Sequence, residues 1–309
     1  MSALPEELST ENCEEVMISL SGKPFRVRVA GSGTPVVALH GFPDSADLWR
    51  HQMGPLAAAG YRVIAPDLRG FGESWKPQDV ASYQPVKLLS DVVGIMGHFG
   101  VRRAHLVGHD MGAFLAWMMA ALMPRRVDRL VVMSVAHPSV WSHLTLEQRQ
   151  RFWYSLFFLL PEAEALLRQR DWELLKEMFS GERDSDRFLR DLRRPGALTA
   201  ALNWYRANCH PADELNGRRT LPPVAAPTLA LWGGGNEKLT EEAMVESARH
   251  VTGEWKYVRV DSAGHFIPVD APALVTDLLL DWLGSAAEDA AAATSRTGDP
   301  ARTRRTGRR

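Results

Sequence analysis

Runs of apolar residues alternate with helix-like segments along most of this chain, and this alternation restricts the fold more than any other feature. Continuous apolar runs are typical of parallel strands covered on both faces, and they occupy residues 35–39, 62–65, 104–107, 129–135, 227–232 and 255–260. Apolar residues spaced three or four positions apart predict helices at residues 86–99, 111–123, 241–251 and 271–283. The order predicts a parallel, doubly wound sheet with helices on both faces.

Two segments near the N-terminus have a different pattern. Residues 16–20 and 25–30 alternate apolar and polar side chains, and Ser21 and Gly22 lie between them. This pattern indicates two antiparallel strands joined by a short turn. They would form the edge of the sheet, so we expect an α/β protein with a mostly parallel, eight-stranded sheet.

The alternation is interrupted after His137 and Pro138. The following block of about eighty residues carries helical, aromatic-rich and charged segments without a clear strand, which predicts a helical cap inserted into the sheet domain. We expect the core at residues 1–137 and 221–284 and the cap at residues 138–220. Residues 285–309 are mostly Ala, Thr, Gly and Arg, and a segment with so few large apolar side chains is expected to be disordered.

Composition argues against several kinds of partner. The 309-residue chain has a formal net charge of -1, so no global field would attract nucleic acid. No segment approaches the ~20 apolar residues that span a bilayer, and the chain starts without an apolar signal core, which favours a cytoplasmic protein. Cys13 and Cys209 lack metal-ligand spacing, so we expect neither a disulfide nor a metal site.

The sharpest chemical signal is the segment Gly108-His109-Asp110-Met111-Gly112, which ends a predicted strand and begins a predicted helix. A strand-to-helix turn with this spacing holds its central residue in a strained conformation that lifts the side chain above the sheet. The N-terminus of the helix would also keep the Asp110 carboxylate ionised. We therefore expect Asp110 to be a nucleophile that attacks carbon.

A catalytic base is expected near the C-terminal end of the sheet domain. His265 lies in the segment Ala263-Gly264-His265-Phe266, after the last predicted strand and before a helix pattern. Histidine can remove a proton from water at physiological pH, and Gly264 gives the loop freedom to bring the ring over the nucleophile. His265 is therefore predicted to be the general base.

Four motifs together resemble the epoxide hydrolases of the α/β-hydrolase superfamily. They are His40-Gly41-Phe42-Pro43, the loop at residues 67–72, Gly-His-Asp-Met-Gly around Asp110 and Gly-His-Phe around His265. The resemblance covers roughly residues 15–284, and it implies the α/β-hydrolase fold, a small hydrophobic epoxide as substrate, a vicinal diol as product and no cofactor. It also implies an oxyanion hole formed by the backbone N–H groups of Phe42 and Met111, with His40 in the same substrate-binding region.

The acid that orients the histidine in this superfamily usually follows the strand that here ends at Trp232. Residues 233–237 read Gly-Gly-Gly-Asn-Glu, so Asn236 stands where an aspartate is expected. We expect Glu237 to supply the carboxylate, because its longer side chain compensates for a shift of one residue. Asn236 as a neutral orienting group is the main alternative.

The resemblance also assigns two phenols in the cap. Tyr154 lies seven residues before Pro161, and Tyr205 lies in a segment similar to the one that carries the second tyrosine of the epoxide hydrolases. In those enzymes the two phenols hydrogen-bond to the epoxide oxygen and stabilise its developing charge. Trp153 is expected to form part of the pocket wall.

Other functions remain open at this point. The superfamily contains haloalkane and haloacid dehalogenases with an aspartate nucleophile, but the haloalkane enzymes carry a tryptophan directly after it, where this chain has Met111. The haloacid enzymes carry arginines beside the nucleophile, whereas Met111 and Phe114 are apolar. A catalytically silent hydrolase that binds a small apolar ligand is favoured only by Asn236. The sequence suggests no nucleic-acid or membrane partner and leaves a homodimer open.

Overall fold

The computed structural model describes residues 13–143, 145–209 and 220–284. Its strands are β1 (Cys13–Leu20), β2 (Lys23–Ala30), β3 (Thr34–Leu39), β4 (Tyr61–Pro66), β5 (Ala104–His109), β6 (Val127–Met133), β7 (Thr228–Gly233) and β8 (Trp255–Val260). They form one eight-stranded sheet in the order β1-β2-β4-β3-β5-β6-β7-β8. Strand β2 pairs antiparallel with β1 and β4, and the other neighbours are parallel. The predicted α/β-hydrolase fold is confirmed.

The burial of the strands explains why their sequences differ. Every residue of β5 and β7 is buried, because helices cover the centre of the sheet, and such strands are apolar on both faces. Strand β1 lies at the edge and has only one fully buried residue, Ile18. The β1–β2 turn contains Ser21 and Gly22, both with positive φ, as short hairpin turns require.

The helices divide into those that cover the sheet and those inserted between β6 and β7. The first group is α1 (Arg50–Ala58), α2 (Pro85–His98), α3 (Met111–Leu122), α9 (Glu241–Glu246), the single turn α10 (Ile267–Asp270) and α11 (Pro272–Leu283). Helix α1 packs against α11, and α2 packs against α3. The predicted helix at 241–251 changes to a 3-10 turn after Glu246.

The inserted segment contains α4 (Leu146–Arg151), α5 (Trp153–Phe158), α6 (Ala163–Met178), α7 (Ser185–Leu192) and α8 (Ala197–Asn208). These helices occupy the part of the chain predicted to be a cap, although the exact domain boundaries stay a prediction. The predicted disordered tail at 285–309, the first twelve residues and residues 210–219 of the predicted cap lie outside the described residues. Within the described ranges, no helix is long and apolar enough to cross a membrane.

Candidate active site

Asp110 occupies the turn between β5 and α3, and the local backbone turns its side chain towards the carboxyl ends of the strands. Its φ is 52° and its ψ is -121°, a combination that is costly for a residue with a side chain. A Cβ atom at Gly108 would lie 2.6 Å from the backbone oxygen of Gly112, and one at Gly112 would overlap the backbone oxygen of Leu39. Glycine at both positions is what allows the tight turn.

Backbone N–H groups hold the Asp110 carboxylate. The N–H of Phe42 donates to Oδ1 at 2.8 Å, and the N–H of Met111 also hydrogen-bonds to the carboxylate. A Cβ atom at Gly41 would overlap Oδ1, so the loop after β3 can approach the carboxylate only with glycine there. The predicted oxyanion donors Phe42 and Met111 and the predicted nucleophile Asp110 therefore come together in one small site.

The electrostatics of this site favour an ionised Asp110 carboxylate. Burial would raise the pKa of Asp110, which is only 8% exposed. A hydrogen bond and charge interaction with His265 act in the opposite direction, as do His109 and the N–H of Met111, and the pKa of Asp110 ends below its usual value. The carboxylate is thus ionised at neutral pH, although it is almost completely shielded from water.

His265 follows β8 and its side chain reaches Asp110. Its Nε2 lies 3.4 Å from Oδ2 of Asp110. Its backbone carbonyl accepts two hydrogen bonds, from Oγ of Ser134 at 2.7 Å and from Nε2 of His109 at 2.8 Å. Burial, with the charge of His265, lowers the pKa of His109 to about 3, so His109 is a neutral donor. These contacts fix the position of the predicted base.

The acid predicted to orient His265 is not in contact with it. Glu237 is exposed, and Nδ1 of His265 is buried without a hydrogen-bond partner among the described residues. Asn236 is buried, and its Oδ1 accepts hydrogen bonds from the N–H groups of Lys238 and Leu239 at 3.0 Å and 3.3 Å. The structure therefore brings neither Glu237 nor Asn236 into a hydrogen bond with the imidazole. The surface position of Glu237 is the physical reason.

The two predicted tyrosines lie next to each other and share a cavity with Asp110. Tyr154 on α5 and Tyr205 on α8 are buried, and their ring centroids are 6.0 Å apart. Burial raises the pKa of both phenols well above the usual value, and the negative charge of Asp110 adds to the effect. Both phenols therefore remain protonated and can donate a hydrogen bond across the pH range in which proteins are stable.

Two further predicted site residues have other surroundings. His40 is buried beneath the Phe42 loop, where Nδ1 donates to the carbonyl of Gly41 at 2.9 Å and Nε2 accepts from the N–H of Leu68 at 2.9 Å. Trp153 is 45% exposed and packs on Tyr154 and Phe157. Neither residue lines the cavities beside Asp110. His40 supports the loop that carries Phe42, and Trp153 lies towards the surface, outside both cavities.

Two cavities meet at Asp110 and Tyr205. The larger is mainly apolar and is lined by Asp110, Met111, Phe114, Val135, Trp141, Phe152, Trp204, Tyr205, Asn208, Cys209 and Leu239. The smaller is lined by Phe42, Asp110, Tyr154, Met178, Phe179, Tyr205, Lys238, His265 and Phe266. An apolar wall around one carboxylate and two phenols suits an uncharged, hydrophobic substrate.

Sequence reasoning missed the two residues that hold the carbonyl of His265. His109 directly precedes Asp110, and Ser134 has a positive φ of 66° directly after β6. Their shared partner is a backbone oxygen more than 130 residues away, and no local pattern reveals such a contact. Within the described ranges, no group of three or more His, Cys, Asp or Glu side chains could hold a metal ion.

Comparison with known proteins identifies the family of this chain. Residues 34–272 match the family model of the alpha/beta hydrolase fold. The chain is 34% identical to the AB hydrolase superfamily protein YfhM of Bacillus subtilis, over 86% of this chain and 96% of YfhM. It is 32% identical to epoxide hydrolase A of Mycobacterium tuberculosis, over 87% of this chain and 97% of that enzyme.

A solved structure of an epoxide hydrolase is similar to this chain along most of its length. Epoxide hydrolase A from Mycobacterium thermoresistibile superposes with a TM-score of 0.74 at 28% identity, covering 88% of this chain and 98% of that chain. The resemblance to epoxide hydrolases that the sequence motifs predict is confirmed.

Proposed function

Because the chain belongs to the α/β-hydrolase family, we propose that it is an epoxide hydrolase that converts a hydrophobic epoxide to a vicinal diol. One observation carries the proposal. A buried, ionised Asp110 is held by backbone N–H groups directly below two protonated phenols, with His265 on its other side. The chemistry of epoxide opening needs a carboxylate nucleophile and an acid for the oxygen, and this site offers both.

In the first half-reaction, Asp110 attacks one epoxide carbon. A bond forms between a carboxylate oxygen and that carbon, while the ring bond between the carbon and the epoxide oxygen breaks. Tyr154 and Tyr205 donate hydrogen bonds to the epoxide oxygen, and one phenol gives it a proton. Their raised pKa values keep both phenols protonated for this task. The product is a hydroxyalkyl ester of Asp110.

In the second half-reaction, water hydrolyses this ester. His265 takes a proton from the water as its oxygen bonds to the Cγ atom of Asp110, and the N–H groups of Phe42 and Met111 stabilise the resulting oxyanion. The bond between Cγ and the alkyl oxygen then breaks, and the alkyl oxygen takes the proton that His265 holds. The diol leaves, and the Asp110 carboxyl group gives its remaining proton to the phenolate, which restores the carboxylate and both phenols. No step requires a cofactor.

The proposal is tested by diol release from styrene oxide. We expect the wild type to form the diol and Asp110→Asn to form none above the uncatalysed rate, because an amide cannot displace the epoxide oxygen. Epoxide consumption must be followed as well, since it reports the first half-reaction alone. If the wild type consumes neither styrene oxide nor any of a panel of other hydrophobic epoxides, the proposal fails. Halide release from haloalkanes then tests the dehalogenase alternative.

A further inference from the structure

Asn236 is a buried amide at the position where an acid is expected. It is the third residue after β7, it is 5% exposed, and its Nδ2 is buried without a hydrogen-bond partner among the described residues. Its Oδ1 is already used by two backbone N–H groups. The side chain is therefore fixed by its loop, and the one polar atom it has left to offer is an amide donor.

The loop that carries Asn236 packs directly on the loop that carries His265. The N–H of Gly235 donates to the carbonyl of Ala263 at 2.9 Å, and a Cβ atom at Gly233 would overlap the backbone oxygen of Gly264. Because β7 and β8 are neighbours, the two loops leave the sheet side by side. Nδ2 of Asn236 and Nδ1 of His265, which both lack a partner within the described part of the chain, thus belong to adjoining loops.

An amide at this position works against a general base. For Nε2 of His265 to accept a proton from water, Nδ1 must carry a hydrogen, and an amide Nδ2 cannot accept a hydrogen bond from it. If Nδ2 of Asn236 instead donates a hydrogen bond to Nδ1, the neutral imidazole must carry its hydrogen on Nε2. In that tautomer Nε2 cannot act as a base. In either case no hydrogen-bonded carboxylate balances the charge of the imidazolium. Replacing the orienting acid by its amide costs about 10⁴-fold in the serine proteases for this reason.

The first half-reaction does not share this cost. Attack by Asp110 needs an ionised carboxylate and two protonated phenols, and His265 transfers no proton during that step. We propose that Asn236 slows hydrolysis of the Asp110 ester without slowing alkylation, so that the ester is the main enzyme species during turnover. This inference rests on the proposed function, and it makes Asn236 the residue that sets the rate.

Two carboxylates near His265 account for a residual rate of hydrolysis. Glu182, in the loop between α6 and α7, interacts electrostatically with His265. Asp270 accepts a hydrogen bond from the N–H of Gly264 at 2.9 Å, directly before the histidine, and also interacts with its charge. In the described part of the chain neither carboxylate hydrogen-bonds to Nδ1. They can stabilise the imidazolium through space, but they cannot fix its tautomer.

The experiment compares the wild type with Asn236→Asp, using styrene oxide. For the wild type we expect a burst of epoxide consumption equal to the enzyme concentration, followed by slow turnover. Intact-mass analysis during turnover should find most of the protein heavier by the mass of one epoxide. In Asn236→Asp, kcat and KM should rise together by at least about tenfold while kcat/KM stays constant, because only the step after alkylation has changed.

A matched control adds the same charge elsewhere. Gln84 is exposed at the N-cap of α2 and makes no side-chain capping bond, so Gln84→Glu should leave the burst and the slow phase unchanged. Glu237→Gln addresses the rival acid, and we expect no effect on ester decay. A wild type that turns over without a burst or a detectable ester would overturn the inference, as would a loss of ester hydrolysis in Glu237→Gln.

The same data separate this inference from the proposed function. If no epoxide is consumed and no adduct forms, the proposed function itself fails. If epoxide is consumed and diol is released, but the ester never accumulates and Asn236→Asp changes nothing, the proposed function stands and the role of Asn236 is wrong.

Discussion

The candidate active site has two sides that are held in different ways: a core side formed by loops at the ends of the strands, and a side formed by the inserted helices α5 and α8, called here the cap side. On the core side, the backbone fixes Asp110 and His265, through a turn with positive φ, an N–H donor and two hydrogen bonds to a carbonyl. On the cap side, aromatic packing positions Tyr154 and Tyr205. The ring centroid of Phe158 lies 5.7 Å from that of Tyr154 and 4.9 Å from that of Tyr205. Backbone geometry tolerates almost no substitution, whereas packed rings tolerate the loss of a single polar atom.

The largest expected effect concerns a glycine of the core turn. In Gly112→Ala the new methyl group would overlap the backbone of Leu39 and His40, which cannot yield as a flexible side chain would. We expect a loss of about 3 kcal/mol or more in the free energy of unfolding, measured by urea denaturation. Gly97→Ala is the control: it lies in α2 with nothing near its new methyl group and should stabilise the protein by about 0.5–1 kcal/mol. Equal effects in both variants would contradict the role of the turn.

Substitutions on the cap side should slow alkylation and leave the stability of the protein nearly unchanged. Tyr154→Phe and Tyr205→Phe each remove one donor to the epoxide oxygen and leave the ring in place, so we expect the alkylation rate to fall about 10²-fold in each with a small change in unfolding free energy. Single-turnover consumption of styrene oxide measures the rate. Tyr257→Phe is the control, because its hydroxyl donates to Glu241 and its side chain lines neither cavity beside Asp110. Unchanged alkylation in both cap variants would remove the phenols from the mechanism.

A smaller effect is expected at the backbone carbonyl of His265, which has two hydrogen-bond donors. The carbonyl of His265 accepts from both Ser134 and His109, so Ser134→Ala leaves one donor in place. We expect a loss of about 1 kcal/mol in stability and a few-fold slower hydrolysis of the trapped ester, with the alkylation rate unchanged. If alkylation slows as much as hydrolysis, Ser134 supports the whole site and not the base alone.

The smallest effect is expected from pH acting on alkylation. The pKa of Asp110 is lowered and those of the two phenols are raised, so all three groups keep their reactive form from about pH 5 to about pH 9. The single-turnover alkylation rate should be flat in this range. For the same reason, Asp110 contributes stability that is present above its unfolded pKa and is lost as the pH falls through its lower folded pKa. A bell-shaped alkylation profile centred near neutrality would contradict this assignment.

The same contrast between backbone and side chain explains what the sequence could predict. The turn around Asp110 depends on local spacing, so its motif predicted a strand-to-helix turn where the structure has one, and residues 255–260 were predicted with the observed bounds of β8. Helix α1 was not identified, because it carries Gly54 and Pro55 and lacks a clear apolar face. The choice between Asn236 and Glu237 depended on which side chain turns inwards. That direction is set by the packing of the β7 loop on the β8 loop, which spacing along the chain does not encode.

The most direct test of this account is the intact mass of the protein after mixing with styrene oxide, for the wild type and for His265→Gln. We predict that His265→Gln becomes fully and stably heavier by the mass of one epoxide, that peptide mapping assigns the added mass to Asp110, and that the wild type carries the same ester transiently. An unchanged mass in both proteins, or an adduct on any residue other than Asp110, would contradict the central claim that this carboxylate is the nucleophile.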